Sequence, residues 1–288
     1  VQVWCSMTFC TSAVYQNKVL TDVFKRGADP YGLLDFGFRG STSVESAGIG
    51  SLAYLAAGFK GTDTAVGLHV AEHYYDSDNT NGAIGTSVPA SEHSTITSWC
   101  RNDDTKRDDF QKDELSAWIN QLERYKNSFA VAFVSDGYNI WNAMYHQWPS
   151  KQMMKHLDEF FSTPPPEDLP KILVLRPDSG DGSEQLPQLA DVLYRGFMKT
   201  FQSEPELQNT YSKLFKLVQC AKPGEGNTNR QFFSEDAYEH PVCIKILQGD
   251  AVSYKSLPRY LYAIRDRSSW SVNQFFFGSG VGLLQKYD

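Results

Sequence analysis

The sequence lacks the features that mark disulfide-stabilised, membrane-spanning or nucleic-acid-binding proteins. Its five cysteines are odd in number and widely scattered, which argues against a disulfide framework or a zinc site and favours a reducing compartment. No apolar run approaches the roughly 20 residues of a transmembrane helix, and no signal peptide is visible. A net charge of −7 argues against general nucleic-acid binding but allows a local anion site. We therefore expect a cytoplasmic protein without nucleic-acid or membrane partners.

The sequence does contain enough apolar residues for a large globular core. Hydrophobic residues make up 41% and aromatic residues 14% of the 288 residues, which excludes a disordered chain and suits one large domain or two smaller ones. The first residues resemble the interior of a strand and the last the start of a helix. We expect both ends to be cuts through a longer protein.

Four apolar runs, each followed by a polar turn, predict strands of a parallel sheet that is buried on both faces. These runs are residues 129–134, 172–175, 243–247 and 272–277. Helical stretches separate them, so the alternation predicts an α/β fold. Ligands of such folds bind at the carboxyl ends of the strands. The turns at these ends contain Asp136, Arg176, Asp178, Gly249 and Asp250, a set that suits phosphate and sugar hydroxyls.

Helical patterns and one long connection fill the rest of the chain. Helices are predicted for residues 12–25, 65–75 and 110–125, and Thr42 with Glu45 predicts a capping box at the start of a helix rich in small residues. Residues 181–242 are predicted to form a surface insertion between two core strands.

Residues 85–94 form a small, polar, turn-rich segment that contains Glu92 and His93. Pro89 fixes its own φ and disfavours helix before Ser91, so a helix is expected to begin after it. His93 would then lie near a helix N-terminus, where anions bind favourably. Taken alone, the segment is a weak signal, and a solvated loop with an exposed histidine is the simpler interpretation.

Several other residues allow both a structural and a functional interpretation. Arg176 to Gly180 could form a tight turn with an ion pair or hold a phosphate. Phe36 could belong to the core or stack on a flat heteroaromatic ring. Asp63 could cap the next helix or accept a hydrogen bond from a carboxamide, and it would repel a carboxylate. Gly280 could complete an ordinary turn or expose its backbone N–H to a phosphate.

The motifs occur in an order that resembles the nicotinamide phosphoribosyltransferases, type II phosphoribosyltransferases of NAD salvage, over nearly the whole chain. The matching segments are residues 35–40, 45–50, 59–64, 87–90, 92–97, 135–136, 176–180, 248–250 and 277–285. The resemblance implies a distorted parallel α/β barrel-like phosphoribosyltransferase domain at 31–288, with residues 1–30 as the remnant of an additional mixed α/β domain.

The resemblance also implies roles for single residues. The candidate catalytic residues are His93, which ATP would phosphorylate, and Asp136 and Asp178, which would face the ribosyl unit and its activated donor. Phe36 would stack on the pyridine ring and Asp63 would select nicotinamide over nicotinate. The other implied substrate-binding residues are Arg39, Ser87, Arg176, Gly249, Asp250 and Gly280.

The implied substrates are nicotinamide and phosphoribosyl diphosphate, with Mg²⁺ as cofactor, ATP as a coupled substrate and no dedicated protein metal ligand. A homodimer with shared active sites is implied as well. Two alternatives stay open: a nicotinate phosphoribosyltransferase, which Asp63 disfavours, and a non-catalytic nucleotide-binding relative. Val281, which stands where the family usually has a glycine in its phosphate loop, and the insertion motivate the second alternative, whereas the presence of His93, Asp136, Arg176 and Asp178 speaks against it.

Overall fold

The computed structural model describes residues 13–21, 29–75, 83–99, 110–166 and 169–280, the side chains of 110–113 excepted. The strand predicted near the start of the chain, the end of the first predicted helix, and Val281 lie outside these ranges. No helix within them is both long and apolar enough to cross a membrane. The chain divides into two compact units. Unit 1 comprises Val1–Ser87, Gln248–Tyr262 and Phe275–Asp288, and unit 2 comprises Val88–Leu247 and Ala263–Gln274.

Helices and strands alternate along most of the chain. The helices are α1 (13–21), α2 (Val44–Ala56), α3 (Ala65–Tyr75), α4 (His93–Trp99), α5 (Phe110–Arg124), α6 (Ile140–Asn142), α7 (Lys151–Ser162), α8 (Gly182–Ser203), α9 (Glu206–Thr210), α10 (Ser212–Cys220) and α11 (Ser256–Arg267). The strands are β1 (Leu33–Asp35), β2 (Ala130–Val134), β3 (Lys171–Arg176), β4 (Phe232–Ser234), β5 (Val242–Gln248) and β6 (Phe275–Ser279).

In unit 1, β1 and β6 form a parallel pair, with Leu33 opposite Phe277. Helices α2 and α3 pack closely because small residues line their contact. A Cβ on Gly48 would lie 2.7 Å from Val70, so a larger residue at position 48 would push the helices apart. The capping box at the start of α2 is formed by Ser43 and Ser46 instead of the predicted Thr42 and Glu45, because the extended Ser43 directs its hydroxyl to the Ser46 N–H.

In unit 2, β2, β3 and β5 are parallel neighbours, and β4 pairs antiparallel with β5. All five residues of β2 are buried, as the continuous apolar run predicted. The indole of Trp118 on α5 stacks on Trp148 at 4.6 Å between ring centroids and donates a hydrogen bond to the carbonyl of Val134 at 3.0 Å. Helix α5 is thereby held along β2 by both apolar packing and a hydrogen bond.

The α/β class with parallel strands is confirmed, whereas neither unit closes its described strands into a barrel. The fourth predicted strand, 272–277, is wrong at its start: Val272–Gln274 form a 3-10 turn and β6 begins at Phe275. The Gln274 side chain explains this difference. Its Oε1 accepts from the Phe232 N–H at 2.9 Å and its Nε2 donates to the Ile244 carbonyl at 2.6 Å, which fixes the turn from outside the local sequence.

The segment 181–242 lies between β3 and β5 in chain order and contributes three helices and β4. Its long helix α8 buries Leu186, Leu189, Leu193 and Phe197. These residues recur at helical spacing and give the segment a substantial apolar core face. That the segment is an insertion stays a prediction, as do the predicted domain boundaries.

Candidate active site

In unit 2, the loop before α4 runs alongside β2. The N–H of Ala132 donates to the Pro89 carbonyl at 2.9 Å, and the Ala132 carbonyl accepts from the Ser91 N–H at 3.0 Å. The Ser91 hydroxyl in turn accepts from the Val134 N–H at 2.8 Å. Through these bonds the loop pairs with β2 along its edge. The turn-rich segment is therefore held in a fixed position beside the end of the strand.

His93 is the first residue of α4, and its imidazole lies between two carboxylates. Its Nε2 is 3.1 Å from Asp136 Oδ1, and its Nδ1 is 3.9 Å from Asp178 Oδ2. The His93 side chain is 39% exposed, whereas that of Asp136 is 3% exposed. A buried carboxylate at hydrogen-bond distance from Nε2 favours the tautomer with the proton on Nε2, which leaves the lone pair on Nδ1.

Arg176, the last residue of β3, connects this cluster to the loop beside β2. Its Nη2 donates to Asp178 Oδ2 at 3.0 Å, and its Nη1 donates to the Ser91 carbonyl at 3.1 Å. The Ser179 hydroxyl donates to Asp136 Oδ2 at 2.5 Å. Two strand ends and one loop thus bring together four of the predicted site residues, His93, Asp136, Arg176 and Asp178.

A fifth ionisable group, Glu114 on α5, lies close to this cluster. Its side chain is 1% exposed, and the backbone N–H of Gly137 donates to its carboxyl. The pKa of Glu114 is raised to about 8, mainly by burial and to a smaller degree by the negative charge of Asp136, whereas the hydrogen bond from the Gly137 N–H acts in the opposite direction. Glu114 therefore carries its proton at neutral pH.

In unit 1, Asp63 and Ser87 form a hydrogen-bonded pair on the surface. The Ser87 hydroxyl donates to Asp63 Oδ1 at 2.6 Å, and both residues are exposed. The Asp63 backbone is held by β1, since its N–H donates to the Asp35 carbonyl at 2.9 Å. The pair offers carboxylate oxygens to a donor such as a carboxamide N–H.

Beneath this pair, the buried carboxylate of Asp35 organises the turn that contains Phe36. Asp35 accepts from the Gly37 N–H at 2.9 Å and from the Thr62 hydroxyl at 2.8 Å, and burial raises its pKa. The ring of Phe36 is half-buried and lies against Gly278, where any side chain would collide with the ring. Phe36 therefore depends on a glycine in β6 for its position.

The other predicted binding residues of unit 1 lie on turns. Arg39 is exposed on the 3-10 turn Phe38–Gly40, Gly280 directly follows β6, and Gly249 and Asp250 follow β5. The turn after β5 is braced by Gln248, whose Nε2 donates to the Asp250 carbonyl at 3.1 Å. That these residues and the unit 2 cluster serve one substrate stays a prediction.

Sequence reasoning missed four residues that position the groups described above, namely Asp35, Ser91, Glu114 and Ser179. Asp35 and Ser179 lie within the matching segments 35–40 and 176–180, next to the predicted site residues Phe36 and Asp178. Their position in the sequence could therefore have identified them. Glu114 gave no such signal, because one acidic residue in an amphipathic helix ordinarily faces solvent.

The described residues contain no group of three or more histidine, cysteine, aspartate or glutamate side chains that could hold a metal ion. They do not fit a Mg²⁺ site built from protein ligands alone. Mg²⁺ commonly binds through one or two carboxylates together with substrate phosphates, so the predicted ion would enter with its phosphate ligand. The requirement for Mg²⁺ stays a prediction.

Taken together, the described fold is that of an α/β protein with a histidine, carboxylate and arginine cluster at the ends of parallel strands. The nicotinate phosphoribosyltransferase (NAPRTase) family matches residues 31–288, and the chain belongs to this family.

Two curated relatives are named nicotinamide phosphoribosyltransferase. The protein of Xanthomonas campestris pv. campestris (strain 8004) is 28% identical over 295 residues, covering 100% of this chain and 51% of the relative. The protein of Acinetobacter baylyi (strain ATCC 33305 / BD413 / ADP1) is 30% identical over 186 residues, covering 62% of this chain and 33% of the relative. The chain thus spans about half the length of the first relative and a third of the second.

Proposed function

We propose that the protein is a nicotinamide phosphoribosyltransferase of NAD salvage. In this reaction the ring nitrogen of nicotinamide forms a bond to the anomeric carbon of 5-phosphoribosyl 1-diphosphate. The bond from that carbon to the diphosphate breaks, and nicotinamide mononucleotide and diphosphate are released. The family, the names of the two relatives and the His93 cluster support this proposal.

The observation that carries the proposal is the position of His93 between Asp136 and Asp178. An imidazole whose Nε2 faces a buried carboxylate can act as a nucleophile through Nδ1. ATP would transfer its γ-phosphoryl group to this nitrogen, with cleavage of the bond to the β-phosphate oxygen and release of ADP, and Asp136 would stabilise the positive charge that develops on the ring. Hydrolysis of the resulting phosphohistidine would then be coupled to tighter substrate binding.

The carboxylates have a second role in the transfer step. Phosphoribosyl transfer passes through a cationic, oxocarbenium-like ribose, which nearby negative charge stabilises. Asp136 and Asp178 supply that charge in unit 2, and the guanidinium of Arg176 supplies a planar donor for phosphate oxygens. Mg²⁺, when bound to the diphosphate, would neutralise charge on the leaving group.

The Asp63–Ser87 pair supports nicotinamide as the substrate over nicotinate. The carboxylate of Asp63 can accept a hydrogen bond from the carboxamide of nicotinamide, whereas it repels the carboxylate of nicotinate. Phe36 would stack on the pyridine ring. Arg39 and Gly280 would contact the phosphate, and Gly249 with Asp250 would hold the ribose hydroxyls.

The test is product formation by the full-length protein from nicotinamide and phosphoribosyl diphosphate with Mg²⁺, with and without ATP. His93→Ala is expected to abolish the ATP stimulation, and His69→Ala, which removes an exposed histidine of α3, serves as its control. Wild-type protein that binds nicotinamide mononucleotide but forms none would favour the non-catalytic alternative. Stimulation that persists in His93→Ala would exclude His93 as the phosphoryl acceptor.

Substrate choice is tested with nicotinate as competitor. Asp63→Asn and Asp63→Ser remove the repelling charge and should allow nicotinate turnover. A wild-type enzyme that prefers nicotinate would instead favour the nicotinate phosphoribosyltransferase alternative. The homodimer with shared active sites and the cytoplasmic location stay predictions.

A further inference from the structure

One face of α5 carries a row of polar side chains that follows β2 to its end. Gln121 Nε2 donates to the Ala132 carbonyl at 3.1 Å, and Trp118 Nε1 donates to the Val134 carbonyl at 3.0 Å. Glu114 precedes Trp118 by four residues and therefore lies on the same face, one turn closer to the residues that follow the strand. Gln121 and Trp118 thus hold α5 against β2 at two points, and Glu114 makes a third contact beyond the end of the strand.

That contact is with Gly137, the residue after Asp136. A Cβ on Gly137 would be 2.9 Å from Glu114 Oε1, and the Gly137 N–H donates to the Glu114 carboxyl. The same position is 3.7 Å from Ile96 on α4. The turn that contains Asp136 therefore packs against both α5 and α4, and a side chain at position 137 would have to displace the Glu114 carboxyl.

We propose that Glu114 is a positioning residue of the active site, which holds the Asp136–Gly137 turn so that Asp136 stays within hydrogen-bond distance of His93. The inference rests on the proposed function, because it assigns Glu114 a part in the same reaction. The contact of Glu114 is with the backbone of Gly137, the residue next to Asp136, so Glu114 would act through Asp136.

The charge of Glu114 matters for this role. Its Oε1 is buried without a hydrogen-bond partner, an arrangement that a neutral carboxyl tolerates better than a carboxylate. Among the described residues, the ionisable groups beside this turn are His93 on α4, Asp136 after β2, and Arg176 and Asp178 at the end of β3. Helix α7 also packs against α5 and carries the ionisable residues Lys151, Lys155, His156, Asp158 and Glu159, of which His156 lies beside Glu123 at the far end of α5. A proton on Glu114 avoids repulsion with Asp136, whereas the Gly137 N–H bond favours the ionised carboxyl. We expect loss of the proton at alkaline pH to change the position of Asp136 relative to His93, because the added charge repels Asp136.

The first test measures kcat and KM against pH in the full-length protein for wild type, Glu114→Gln and Glu114→Leu. Glutamine mimics the neutral carboxyl, so it should keep near-wild-type kcat at neutral pH and weaken the decline in activity above about pH 8. Leucine cannot accept from Gly137 and should lower kcat about ten-fold or more with little change in the KM for nicotinamide. Glu123→Gln removes a largely exposed carboxylate from the far end of α5 and should match wild type.

The second test does not require turnover. The His93 ring signals are followed by NMR against pH in wild type, Glu114→Gln and Glu123→Gln. A titration step near pH 8 in wild type and Glu123→Gln that is missing in Glu114→Gln supports the proposal. If wild type and Glu114→Gln give superimposable His93 titrations, the proposal is overturned, whether or not Glu114→Leu folds. Absence of wild-type turnover would count against the proposed function alone.

Discussion

Replacing Glu114 by glutamine should remove a pH-dependent part of the protein's stability. The pKa of Glu114 is raised by burial from 4.5 to about 8. Because the folded protein keeps this proton to higher pH than the unfolded chain, the contribution is fully present below about pH 4.5 and is lost as the pH rises to about 8. Each pKa unit corresponds to about 1.36 kcal/mol, so the loss is at most about 5 kcal/mol.

The variant keeps the shape and the acceptor oxygen for the Gly137 N–H but has no proton to lose. Its unfolding free energy should therefore decline less with pH than that of wild type. The difference between the two proteins should change by several kcal/mol between about pH 5 and 9. Urea unfolding at several pH values in this interval measures it, with Glu123→Gln as the matched control.

A constant difference between wild type and Glu114→Gln over this interval would refute the reasoning. It would mean that the Glu114 carboxyl is ionised at neutral pH despite its burial. If the free energy of unfolding of Glu114→Gln declines with pH as steeply as that of wild type, the pH dependence belongs to other groups.

Three further substitutions test the packing around the site by thermal or urea unfolding. Ala251→Gly should stabilise the protein by about 1 kcal/mol, because Ala251 has a φ of 54°; no gain would show that this backbone is not strained. Gly278→Ala should lower the free energy of unfolding by about 1–3 kcal/mol, because the added methyl group would displace the Phe36 ring. If Phe36 stacks on nicotinamide as proposed, the KM for nicotinamide should rise, and an unchanged KM would argue against that stacking. Trp118→Phe should lower the free energy of unfolding by about 1–3 kcal/mol, because the buried Val134 carbonyl loses the hydrogen bond from the indole. An unchanged stability would argue that this hydrogen bond does not hold α5 against β2.

Local sequence predicted much of this fold, because a strand that is buried on both faces needs a run of mostly apolar residues, and such a run is visible in the sequence. The runs that became β2, β3 and β5 are rich in apolar residues, with Lys245 as the one charged residue of the run 243–247, and each is followed by a polar turn that contains predicted site residues. Pro89 likewise set the start of α4, because its ring excludes helical backbone before it. Asp136 and Arg176 were identified as site candidates from these strand ends alone.

Contacts between distant residues decided what local sequence could not. The turn at Val272–Gln274 depends on bonds from the Gln274 side chain to Phe232 and Ile244, about 30 to 40 residues away. Glu114 resembles a solvent-facing residue in its own helix and is buried only because α5 lies along β2. The sequence by itself determined which groups of the candidate site are present, since side-chain chemistry and strand ends are local properties. The tertiary structure decided that Asp136 faces Nε2 of His93 and that Glu114 keeps its proton, since distance and desolvation arise only when separate elements pack together.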